Sequence, residues 1–240
     1  LQEMDEVALM NRTDTKFIYP LTLLPKILIK LKQHYKILEI GGNRCSDYKT
    51  DYLDTENNSL HTQHHNGKQN RYKVRYREYI GSNLSFLEVK FKDTKGKTNK
   101  SRIKSWIKDE GFTQLDAKFI TEQTPYKIDQ LKHVLSNCFS RLTLVNKTDK
   151  ERLTIDFNLV FKNKEKSIGL NNLCIAEVKQ ERVDRNSEIM KVLKDFGLRP
   201  ASFSKYATGA VLLDRKLKYN SFKKNLLFLN KIHYNGNIWN

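Results

Sequence analysis

The sequence predicts an α+β fold: antiparallel strands curved into a barrel, with helices packed on its outside. Three observations carry that expectation. Several strands alternate between an apolar face and a face of ionisable side chains, most of them cationic. The helical segments each carry a single apolar stripe, which suits an outer cover. Lys and Arg number 44 against 27 Asp and Glu, a formal charge of +17 over 240 residues. Such an excess calls for a polyanionic partner: nucleic acid, an anionic membrane surface or a phosphorylated small molecule.

The length suits one domain with an ample core, and no repeat, linker or low-complexity segment divides residues 1–240. The domain core is expected over about 11–213, with a basic tail over 214–240. No apolar run approaches the roughly 18 residues that a membrane-spanning helix needs, and the first residues carry no signal-peptide pattern. Cys45, Cys138 and Cys174 are odd in number and lack metal-ligand spacing. A reducing compartment with no structural disulfide is the expectation.

Residues 11–19 read as a first strand, with Lys16 beside the β-favouring Phe17 and Ile18. Thr22 caps a helix over 23–34, with Pro25 in its first turn and Leu24, Ile27, Leu28 and Leu31 on one face. Residues 37–40 form a short strand closed by Gly41-Gly42, and 48–54 form another. The Asn-, His-, Gln- and Gly-rich stretch 55–70 reads as a loop with room for one helical turn. Its His64-His65 pair has no third ligand at metal spacing and is read as solvated.

The sharpest pattern is 71–77. Tyr72, Val74 and Tyr76 point one way; Arg71, Lys73, Arg75 and Arg77 point the other. Four like charges on one face repel one another unless an anion sits there. In 86–92, Leu87, Val89 and Phe91 oppose Glu88, Lys90 and Lys92, and 100–104 alternates again after a Lys/Gly-rich loop. Helical patterns cover 113–122 and a stretch opened by Thr124-Pro125, with Ile128, Leu131, Val134 and Leu135 as its buried stripe. Strands resume at 140–146, which carries Arg141, and at 152–159. There Leu153, Ile155, Phe157 and Leu159 oppose Arg152, Thr154, Asp156 and Asn158. In 173–181, Glu177, Lys179 and Glu181 share a face; a helix from Asn186 or Ser187 to Phe196 stops at Gly197, and a last helix covers 203–213.

Two architectures fit these strands: an open sheet with a basic outer face, or a barrel with its apolar face outward and its charges in the lumen. The barrel is preferred, because a lumen brings arginines and lysines from opposite walls within reach of one polyanion, where charge-assisted contacts are strongest. No Ser/His/Asp or Cys/His constellation and no glycine-rich phosphate loop is present.

Five segments in order carry a resemblance: Arg75-Tyr76-Arg77, Phe86-Leu87-Glu88-Val89-Lys90, Lys100-Ser101-Arg102, Ala176-Glu177-Val178-Lys179 and Phe203-Ser204-Lys205-Tyr206. Together they resemble the polyphosphate polymerase domain of the vacuolar transporter chaperone (VTC) type, in the CYTH or triphosphate tunnel metalloenzyme superfamily. The resemblance covers about 11–213 and implies a closed eight-stranded antiparallel β-barrel, a tunnel holding the triphosphate of ATP and a growing inorganic polyphosphate chain. The activity it implies is metal-dependent transfer of the γ-phosphate of ATP to that chain. Carried over residue by residue, the catalytic phosphate ligands are Arg75, Arg77, Lys90, Lys100, Arg141, Arg152 and Lys205. Lys16 binds substrate on the first strand, and Lys73, Lys92, Arg102 and Lys179 add to the field. Glu177 is carried over as the ligand of a divalent metal, Mn²⁺ or Mg²⁺.

The chain also departs from the pattern. Hydrolytic relatives carry Glu-x-Glu-x-Lys on an early strand, of which Glu88-Val89-Lys90 keeps only the second half. The polymerase pattern has a second lysine shortly before Phe-Ser-Lys, where this chain has Ala201 and Ser202. Two alternatives stay open: a triphosphate hydrolase of the same superfamily, and a non-catalytic binder of polyphosphate or nucleic acid. Nucleic acid is disfavoured because Tyr72 and Tyr76 fall on the face away from the cations. Polymerases of this family commonly act beside membrane subunits that carry product away. The expected location is therefore cytoplasmic, at the inner face of a membrane through such a partner.

Overall fold

The computed structural model describes residues 13–106 and 111–233. In chain order the elements are β1 (Thr13–Pro20), α1 (Leu24–Leu31), β2 (Tyr35–Ile37), β3 (Cys45–Thr55), α2 (Ser59–His65), β4 (Arg71–Tyr79), β5 (Leu84–Lys92) and β6 (Thr98–Lys104). They continue with α3 (Gln114–Gln123), β7 (Leu131–Asn146), β8 (Glu151–Lys162), β9 (Ser167–Leu170), β10 (Leu173–Gln180), α4 (Glu188–Asp195), α5 (Lys205–Leu213) and α6 (Lys223–Ile232). Eight strands form one antiparallel path in the order β1-β10-β8-β7-β3-β4-β5-β6, with β2 added to β7 and β9 to β8.

The expected closure is not found. Among the described residues β1 pairs only with β10 and β6 only with β5, so the sheet is curved but open along the β1 and β6 edges. Alternation fixes which face of a strand is apolar, but nothing in it specifies a ladder between two terminal edges. The β6 edge is short and largely exposed, with Lys100, Arg102 and Lys104 along it, a composition that discourages further pairing.

Three apolar clusters clothe the sheet. Phe17, Tyr19, Leu153, Ile155, Ala176 and Val178 pack under α1 and α4. Leu53, Val74, Tyr76, Leu87 and Val89 pack under α2 and α3. Both sets lie on the convex face, as alternation predicts. The third cluster lies on the concave face: Ile18, Leu135, Phe139, Leu159, Phe161 and Ile175 meet α5 and, beyond it, Leu226 and Leu229 of α6. Thus α5 fills one end of the concave space instead of joining the outer cover. Its Gly209 allows this, because a Cβ there would come within 2.4 Å of the buried Phe161 ring.

Two bulges explain where alternation misleads. Between Cys138 and Ser140 the partners on β8 run from Val160 to Phe157, so three steps on β8 match two on β7. Asn158 takes a left-handed φ of 52° there. The bulge turns Leu159 away from the convex face and, with Phe161, into the concave cluster. On β7 the register slips beside Val134, since Tyr52 pairs with Leu135 but Leu53 with His133. Leu131 therefore packs on the convex side and Leu135 on the concave side. That i,i+4 pair of leucines is what mimicked a helix: the stretch after Thr124-Pro125 is a single 3₁₀ turn, Ile128–Gln130, followed by the 16-residue strand β7.

Smaller differences have local causes. A 3₁₀ turn, Leu21–Leu23, precedes α1, so Thr22 makes no cap. The stretch read as a loop contains α2, whose first N–H groups are held by Asp54: Leu60 and His61 donate to its carboxylate at 2.8 and 2.9 Å. Gly197 ends α4 at φ 68°, as its position predicts.

Candidate functional site

All eight strands of the main path send side chains into one cavity of about 300 Å³ on the concave face. β4 supplies Lys73, Arg75 and Arg77, β5 Lys90, and β6 Lys100; from the other edge come Asp14 and Lys16 of β1, Glu177 and Lys179 of β10, and Arg152 and Asp156 of β8. β7 gives Arg141 and β3 gives Tyr52, while Phe203, Ser204, Lys205 and Tyr206 enter from the start of α5. The alternation that placed these groups on one face thus converges through curvature. Of the residues expected from sequence, Lys92 and Arg102 stay outside the cavity. Arg102 is exposed and lies over the Phe86 ring at 4.5 Å.

Cross-strand register places the charges in sets. Glu177 faces Lys16 across β1–β10 and accepts from it at 2.9 Å, and it also pairs with Lys179, two residues along the same strand. Arg75 stands opposite Glu88 and donates to it through Nε and Nη2 at 2.9 and 2.7 Å; Lys100 holds the other oxygen. Arg141 stands opposite Asp156 and binds it with two prongs, 2.5 and 2.8 Å, while Lys205 reaches the same carboxylate from α5. The cavity and its wall then hold ten cationic groups against Asp14, Asp156, Glu177 and Glu88, a formal +6. Asp156 lay on the predicted charged face, but its role was not assigned; only its register opposite Arg141 gives that role.

These surroundings shift the ionisation of both signs. Burial alone would raise the Glu177 carboxyl, but Lys179 and then Lys16 outweigh it and hold it well below the usual range. Asp156 is lowered in the same way by Arg141 and Lys205, and Glu88 by Arg75, Arg77 and Lys100. The amines move the other way. Burial, then neighbouring cations, pulls Lys73 down to about 7; burial also brings Lys205 to about 7 and Lys179 to about 8. Lys90 is lowered first by Arg75 and next by burial. The cavity is therefore a site of unrelieved cationic repulsion, which a polyanion would relieve.

A pH dependence follows from Lys73 and Lys205. Unfolded lysines titrate near 10.4, whereas these two titrate near 7 when folded. Between those values the unfolded chain binds more protons, so stability rises with pH across that window and the penalty is fully present below about pH 7. The expected result is a melting temperature that climbs between about pH 7 and 10, with a smaller slope in Lys73→Met. An unchanged slope in that variant would show that Lys73 is not the titrating group.

The residues fit a divalent cation that shares its coordination with a bound anion. Among the described residues no cluster of three or more His, Cys, Asp or Glu side chains could hold an ion unaided. Glu177 offers one carboxylate on the cavity wall, which suits an ion whose remaining ligands are phosphate oxygens and water. His64, by contrast, stacks on Phe222, with ring centroids 5.8 Å apart.

A sequence profile for the VTC domain matches residues 11–213. No curated protein matches the chain. Among solved structures, a candidate adenylyl cyclase from Hippeastrum, described as having a dominant triphosphatase activity, superposes with a TM-score of 0.50. It is 14% identical, covering 87% of this chain and 98% of that one, and so shares the fold. A candidate adenylate cyclase from Bacillus halodurans is 15% identical over 83% of this chain and 98% of its own, with a TM-score of 0.49.

Proposed function

The chain belongs to the VTC domain family, and on that premise we propose that it is a polyphosphate polymerase, moving the γ-phosphoryl group of ATP onto a growing inorganic polyphosphate chain. One observation carries the reading: ten cationic side chains from both edges of the sheet and from α5 converge on a single cavity that four carboxylates only partly neutralise.

Phosphoryl transfer needs little covalent help. It needs the acceptor and leaving oxygens held in line, and donors placed where charge spreads on the transferring group. Arg75 and Arg77 on one wall and Arg141 and Arg152 on the other offer planar guanidinium groups suited to phosphate oxygens. Lys16, Lys90, Lys100 and Lys205 add point charges between them. Ion pairs to Glu88 and Asp156 fix the Arg75 and Arg141 side chains before substrate arrives, and this preorganisation lowers the cost of binding. A divalent cation, Mn²⁺ or Mg²⁺, held by Glu177 would add neutralisation of the bridging phosphate oxygens.

The nucleophile in this reading is the terminal phosphate oxygen of the acceptor, already anionic near neutral pH. No base has to activate it. Glu88, Asp156 and Glu177 are held low by their cationic partners and make poor proton acceptors. A triphosphate hydrolase is the second reading. The observation favouring it is that the Lys73 amine on the cavity wall, brought to about 7 by burial, could take a proton from water. The phosphate balance separates the two. A polymerase releases ADP with little orthophosphate, whereas equimolar ADP and orthophosphate would assign the acceptor's place to water.

A further inference from the structure

The concave face continues past the cavity as a row of aromatic rings. Tyr48 of β3 lies in line with Tyr52, Tyr79 of β4 with Arg77, and Phe86 of β5 with Glu88 and Lys90, so all three share the face of the phosphate-binding cations. Tyr48 stacks on Phe139 with centroids 5.2 Å apart and planes 7° apart. Tyr79 tilts against Tyr48 at 5.0 Å, and Phe86 meets Tyr79 edge-on at 6.0 Å. Tyr48, Tyr79 and Phe86 are half-buried rather than covered.

Two further facts give the row a direction. The inner end of the row touches the α5 cluster, which includes Phe139 and packs against Tyr48, and Lys73 donates to Ser204, the N-cap of α5, at 3.2 Å. Tyr79 lies six residues from Lys73 along β4, about 20 Å along the strand from that contact. The inner margin of the row is cationic: the Arg141 guanidinium sits 5.2 Å over the Tyr48 ring and that of Arg77 5.8 Å over it. At the outer margin Arg102, which falls outside the cavity, lies 4.5 Å over Phe86.

We propose that this row is a nucleobase shelf, on which the base of the nucleoside triphosphate stacks while its phosphates sit between Arg77 and Arg141. The inference rests on the phosphate-binding reading of the cavity and adds to it the recognition of the nucleoside. From Arg77 to Tyr79 is about 7 Å along the strand, the scale of the step across a ribose from phosphate to base. Every base has a π-face, so stacking on these rings favours purines over pyrimidines by area and by itself distinguishes adenine from guanine weakly.

The test measures binding of ATP, CTP and tripolyphosphate, without turnover, to the whole chain and to its Tyr79→Leu and Tyr79→Phe variants. Leu keeps apolar bulk without the ring; Phe keeps the ring. The expected result is ATP tighter than CTP in the unaltered chain, about a tenfold loss for ATP in Tyr79→Leu, recovery in Tyr79→Phe, and tripolyphosphate affinity within about twofold throughout. Unchanged ATP affinity in Tyr79→Leu, or equal losses for ATP and tripolyphosphate, would overturn the shelf. Failure of the unaltered chain to bind tripolyphosphate would instead overturn the phosphate-binding reading beneath it.

Discussion

Replacing Glu177 by Gln is expected to reduce phosphoryl transfer at least about 100-fold, the scale of removing one preorganised charged group from a transfer site, without weakening metal-free binding of tripolyphosphate. The two halves of this expectation have one cause. Glu177 faces the cavity as the carboxylate suited to a divalent cation, yet it also accepts from Lys16 at 2.9 Å and pairs with Lys179. Its loss removes an anion from a cavity that will hold an anion, so free polyphosphate meets two released ammonium groups. Only the metal-dependent step loses its ligand. Turnover in the presence of Mn²⁺, set beside calorimetric binding of tripolyphosphate in chelator, separates the effects. Near-normal turnover would remove the metal role from Glu177, and a parallel loss of binding would mark the residue as structural.

Arg75→Ala is expected to cost about 3 kcal/mol or more of stability, because it removes the two-pronged partner of the fully buried Glu88 and leaves Lys100 as its one direct ion pair among the described residues. Breaking one side of a buried pair leaves an uncompensated charge, whereas replacing both sides with apolar groups does not. The double variant Arg75→Met, Glu88→Leu should therefore recover most of the loss in urea unfolding while remaining inactive. An Arg75→Ala variant as stable as the unaltered chain would mean that water reaches Glu88 in its absence. The ion pair would then contribute little to the fold.

How far the sequence reaches can be judged at particular residues. The cationic face of β4 could be read directly, because Arg71, Lys73, Arg75 and Arg77 recur at the period of a strand and nothing interrupts it. The same rule put Lys90, Lys100 and Lys179 on the face that lines the cavity, whereas Lys16 came only from the family resemblance. Lys92 and Arg102 share that face but lie outside the cavity lining, since a shared face does not fix distance along the strand. The rule broke where an extra residue enters the ladder: at Asn158, which moves Leu159 to the concave side, and at Val134, which separates Leu131 from Leu135. Long-range register is also absent from local pattern, so the pairing of Arg141 with Asp156 and the open β1 and β6 edges could not be foreseen. The aromatic row was hidden for the same reason, its members coming from three strands and joining only across them.

The most direct measurement is incubation of the chain with ATP and Mn²⁺, followed by electrophoresis with a stain for polyphosphate. A ladder of chains that lengthens as ADP accumulates is the predicted result. Orthophosphate without chains, or tight binding of tripolyphosphate with no turnover, would contradict the assignment of a polymerase to this cavity.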